Sequence, residues 1–173
     1  SATITLDMAG SKGALLEASG NLEIDLFGFF MVSGGFAFEK SSDSVALADG
    51  SNVNVDKLTI GASNVDAFAG LNGGTADELG LKLEGVSFGL ALLTDQATPT
   101  RKWTSLKATA DTVSFVGISG MTVAADTITV NVNQTASDGS IVDYDAQNLV
   151  IATGPSATIT LDMAGSKGAL LEA

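Results

Sequence analysis

Residues 156–173 repeat residues 1–18 without a single change. Both stretches read SATITLDMAGSKGALLEA, at an offset of 155 residues. Chance does not produce this, and duplicated domains left to diverge lose it. The chain therefore reads as one full repeat, residues 1–155, followed by the start of the next identical repeat, residues 156–173. Near-perfect tandem arrays of large periods build filaments, stalks and giant adhesins more often than catalysts.

Composition fits such an array and narrows its chemistry. Apolar residues make up 45% of the chain and charged residues only 16%, so it has enough apolar side chains for a folded core despite 20 glycines. Val, Ile, Thr and Phe alternate with Ser, Asp and Asn, which is strand chemistry. The formal charge is -12, and the second copy (Asp162, Lys167, Glu172) contributes only -1 of it. One period thus carries about -11, a sum that grows with every copy. Such a polymer repels nucleic acid and anionic membranes. Cysteine and histidine are both absent. Disulfides, thiolate nucleophiles and zinc–thiolate sites are thereby excluded, and the commonest general base is missing. No membrane insertion is expected, because the longest apolar stretch, Leu26 to Val32, is too short to span a bilayer as a helix.

The expected fold class is all-β. Leu22, Ile24, Leu26, Phe30, Val32, Phe36 and Phe38 fall on even positions, a period of two that demands extended chain. That even face is the expected core. Phe27, Phe29 and Met31 lie on the odd face, and their burial against a second layer or a neighbouring repeat is expected as well. Either one very long strand or a bend at Gly28 and Gly34 satisfies the pattern. A shorter motif, an acidic residue and a spacer before apolar–polar–apolar, recurs at 56–60, 84–88, 111–115 and 126–130. It reads as successive rungs or strands of one stacked sheet. Gly85 marks a switch of face, hence a bulge or bend. Turn signals divide the chain into eight to ten strands. Helix is confined to short pieces such as 11–18 and 75–79. The join at Gly154-Pro155 carries no linker, so neighbouring repeats are expected to share sheet or core. A β-solenoid or an elongated stacked β-sheet fits this continuity, with discrete β-sandwich domains in tandem as the alternative.

Several residues are candidates for binding. Asp138, Asp143, Asp145 and Asn148 form an oxygen-rich cluster of the kind calcium takes, and Asp143 and Asp145 would share one strand face. No cofactor is required, and calcium is the one cation these residues suit. Residues 72–79, NGGTADEL, are similar to calcium-binding glycine–aspartate nonapeptides but depart from them in the third glycine and in the aspartate position. Arg101, Lys102 and Trp103 gather a basic and aromatic patch. It would serve a glycan or peptide, or else the basic residues pair with acidic surface while Trp103 caps the core. Asn133-Gln134-Thr135 matches the N-glycosylation sequon. No residue set supports catalysis, and the chain is not expected to be an enzyme.

The segments SGNLEIDLFGFFMVSGGFAFEKS and KWTSLKATADTVSFVGISGMTVAADTITV resemble repeats of giant bacterial surface or secreted proteins of the RTX-adhesin-like class. The resemblance implies an extracellular or cell-surface location and a multi-copy structural or adhesive role, with neighbouring copies as partners. An adhesive module for a glycan or another cell-surface ligand is the alternative it leaves open. It transfers no site residue.

Overall fold

The computed structural model describes residues 3–117 and 123–172. Among these residues the chain is nearly all β, without an α-helix. Six strands run up and down in chain order: β1 (Leu16–Leu26), β2 (Phe30–Ala46), β3 (Asn52–Leu71), β4 (Leu79–Asp95), β5 (Lys102–Val116) and β6 (Val123–Asn133). Each pairs antiparallel with the next. Two short strands, β7 (Leu149–Ala152) and β8 (Thr158–Leu161), form a separate hairpin. The last, β9 (Leu170–Glu172), returns to the large sheet beside β6. No helix among the described residues is long and apolar enough to cross a membrane.

The long period-two run is two strands, not one. Phe27 and Gly28 both adopt positive φ, 54° and 72°, and turn β1 back onto β2 with Leu26 opposite Phe30. Gly85 lies where the alternation switches face. Its φ is +62°, its N–H donates to Asp66 Oδ1 at 3.0 Å, and the β3–β4 register shifts on either side of Val65. The four recurring motifs fall on four consecutive strands, β3 to β6. The stretches read as short helices differ: 10–12 is a single 3-10 turn leading into β1, and 75–78 is the turn before β4.

The core sits over one end of the sheet. The end of β2, the start of β3, the end of β4 and the start of β5 present Val45, Val55, Leu93 and Trp103 to a covering layer. That layer is the chain from residue 134 onward, through Tyr144, Ile151, Leu161 and Met163. Two glycines admit it closely. A Cβ on Gly61 would collide with the carbonyl oxygen of Ala152, and one on Gly89 with Ile159. The even face of β1 and early β2 is not this core. Leu22, Ile24, Leu26, Phe30 and Phe36 are exposed, because β1 is the outermost strand and the covering layer lies over the opposite end of the strands. Phe27, at the hairpin tip, is 95% exposed and Phe29 is exposed, while Met31 is half-buried.

Candidate functional site

The two copies of the repeated segment fold alike locally and end in different places. In the second copy, β8 pairs with β7, and Leu161 and Met163 enter the core. The chain then makes a 3-10 turn at Gly165–Lys167 and joins β6 as β9. Gly165 is wedged: a Cβ there would stand 2.9 Å from Ala48 Cβ and 3.0 Å from Asp143 Cβ. The Gly165 N–H donates to Asp143 Oδ1 at 2.8 Å, and the Tyr144 N–H donates to the Met163 carbonyl at 3.0 Å. Lys107 Nζ pairs with Asp162 Oδ1 at 2.8 Å.

In the first copy the equivalent residues stand in solvent. Leu161 is 0% exposed and Leu6, the same residue of the segment, is 81% exposed. Ile4 and Met8 are exposed likewise, and a Cβ on Gly10 would meet nothing within 4 Å. The turn is nevertheless already formed at Gly10–Lys12. Ala9 and Gly13 adopt φ/ψ of -72°/121° and 66°/-144°, against -68°/125° and 71°/-159° for Ala164 and Gly168. The turn therefore does not depend on docking.

The first copy is anchored at its other end. Lys12 Nζ donates to Glu39 Oε2 on β2 at 2.7 Å. That hydrogen bond foremost holds the lysine above its ordinary pKa, with the nearby acids adding to it against a desolvation penalty. Burial acts to raise the Glu39 pKa, but hydrogen bonds from Lys12 and Ser41 and the charge of Lys57 outweigh it and hold the carboxyl below the ordinary range.

The remaining candidates are largely occupied by the fold. Asp143 opens a turn rather than lying in a strand, so it shares no strand face with Asp145, and its Oδ1 accepts from Gly165. Asp138 accepts from the Ser140 hydroxyl and N–H and pairs with Arg101 Nε at 2.8 Å. These contacts, the serine hydroxyl foremost, hold its carboxyl below the ordinary range. Asp145 and Asn148 are exposed. Among the described residues no group of three acidic side chains is gathered around one point. Residues 72–79 close on themselves: Thr75 Oγ1 donates to the Asn72 carbonyl and accepts from the Asp77 N–H.

Trp103 is 1% exposed, and its Nε1–H donates to the Ser140 carbonyl at 3.1 Å. Arg101 lies over the ring, 5.1 Å from its centroid, and pairs with Asp95 and Asp138 of its own chain. Lys102 alone of the three is exposed. The sequon asparagine is buried too. Asn133 accepts from Ser105 Oγ at 2.9 Å and donates to the Val142 carbonyl at 3.0 Å, so its amide is not free for a sugar. Sequence reasoning missed the network this belongs to. The Tyr144 hydroxyl donates to Ser105 Oγ at 2.9 Å, joining the covering layer to β5 and β6 inside the core. Burial pushes the Tyr144 pKa up to about 12, partly offset by that bond.

These contacts join one part of the chain to another. No protein-family model, curated protein or solved structure matches this chain.

Proposed function

We propose that the chain is a structural repeat of an extracellular filament, stalk or giant surface adhesin, in which copies follow one another and act mechanically or as spacers. The unequal placement of Leu6 and Leu161 carries this reading. One identical segment fills a core at 158–163 and is bare at 3–8, as expected of a joint that the end of one copy makes with the beginning of the next. The elongated stacked sheet is the favoured form of the fold, since strands of up to 20 residues lie side by side in chain order. A charge of about -11 per period keeps parallel arrays apart in dilute salt. The glycan-binding alternative is not favoured by an indole that is in the core, so Trp103→Ala is expected to act on stability.

Electron microscopy of the full-length protein tests the proposal. Long fibres with a regular axial repeat are expected. Compact, dispersed particles would contradict it.

A further inference from the structure

We infer that the first seventeen residues of each copy complete the fold of the copy before it, and that the strand following them extends a single antiparallel sheet from copy to copy. This rests on the array reading above and deepens it to a geometry of junction.

The first argument is the frame of the folded unit. The sequence period closes at residue 155, yet Leu161 and Met163 lie inside the core. The β7–β8 hairpin is therefore made of the end of one copy and the beginning of the next. A copy cut at the period boundary lacks half of that hairpin and the wedge at Gly165. Residues 3–8 of the first copy carry the same side chains with nothing to bury them. A preceding copy would supply the groove that residues 158–163 occupy here. The Lys12–Glu39 bond meanwhile holds the far end of the segment to its own sheet. The segment is a staple, with its apolar half in one copy and its lysine on the next.

The second argument is register. In β9, Leu170, Leu171 and Glu172 pair with Asn133, Val132 and Asn131. These three residues correspond to Leu15, Leu16 and Glu17, where β1 begins. Carrying the register onward sets the following copy's β1 along β6, with the equivalents of Ala18 and Gly20 opposite Val130 and Ile128. Both strands are eleven residues long. Both also have an open edge among the described residues: β1 pairs only with β2, and β6 meets β9 only at 131–133. Long edges with exposed Leu22, Ile24 and Leu26 invite pairing, and the preceding copy's β6 is the partner of matching length and direction.

A repeat then adds six strands across the array axis. At about 4.8 Å per strand the array advances about 29 Å for each 155-residue period.

Fibre diffraction from the aligned full-length protein tests this. A spacing of about 4.8 Å along the fibre axis, with an axial repeat of about 29 Å, is expected. A fibre whose 4.8 Å spacing lies across the axis, or whose axial repeat is a domain-sized length unrelated to 29 Å, overturns sheet continuity while leaving the filament. A full-length protein that forms no elongated particle overturns the filament and this junction with it.

Discussion

The backbone N–H of Gly165 donates to the Asp143 carboxylate at 2.8 Å, so the best sequence candidate for a cation ligand is a clamp on the repeated segment. Asp143→Ala is expected to lower stability by about 1.5–3 kcal/mol, the usual cost of losing a hydrogen bond to a charged group. Urea unfolding of the two proteins measures it. Calcium is separable in the same experiment. Melting in chelator, in calcium and in sodium of matched ionic strength should give equal salt-induced shifts if screening alone acts. A saturating, calcium-specific rise in Tm that disappears in Asp143→Ala would make the cation a second partner of this carboxylate.

Paired substitutions in the two copies should behave oppositely. In the single chain, Leu161→Ala empties a core position and is expected to cost about 2–5 kcal/mol, whereas Leu6→Ala is expected to stay within about 0.5 kcal/mol. Gly165→Ala forces a methyl against Ala48 and Asp143, while Gly10→Ala meets open space. Thermal melts of the four variants check this, and equal losses in both copies would contradict it.

Much of the fold was legible and the site only in part. Alternation, the recurring motif at 56–60, 84–88, 111–115 and 126–130, and the bulge at Gly85 all report local backbone, which period and glycine encode directly. Which end of the sheet is covered was not legible. Leu22 and Leu161 are equally apolar, and a strand alternates in the same way whether a layer or another copy will cover it. The signal that was present lay in Gly61 and Gly89, mid-strand glycines where the hairpin approaches. The Tyr144–Ser105–Asn133 network was hidden because its members lie 28 and 39 residues apart. Trp103 as a cap on the core was one of two readings the sequence allowed.

Alkaline pH should unfold the chain through Tyr144. Its pKa is about 12 in the folded protein, against 10.0 ordinarily, so the neutral form is favoured by folding. That contribution is whole below pH 10 and is lost as pH rises toward 12, about 2–3 kcal/mol in all. Tyr144→Phe is expected to lose the hydrogen bond to Ser105 at neutral pH but to flatten the decline above pH 10. Denaturant midpoints from pH 8 to 12 would show it, and an unchanged alkaline slope in Tyr144→Phe would contradict it.

Phe27 holds φ at 54° while almost fully exposed, a conformation bulky residues avoid. Phe27→Gly is expected to raise stability by up to about 1 kcal/mol by relieving that backbone. Phe29→Ala in the single chain is expected to change stability by less than about 0.5 kcal/mol. If Phe27, Phe29 and Met31 pack between copies or between filaments, their replacement should weaken assembly while leaving the single-chain melt nearly unchanged. Light scattering on arrays of wild-type and variant sequence distinguishes these effects.

Amide hydrogen exchange followed by NMR compares the two identical segments within one molecule. Away from the chain ends the chemical exchange rates of matching amides are nearly equal, so any difference between them is structural. In the single chain, the amide of Gly165, which donates to Asp143, and those of β8 that bond to β7 are expected to exchange slowly, near the rate set by global unfolding, while those of residues 3–6 and of Gly10 exchange as in an unfolded peptide. Equal exchange in the two segments, whether both fast or both slow, would contradict a segment that folds only against the sequence preceding it.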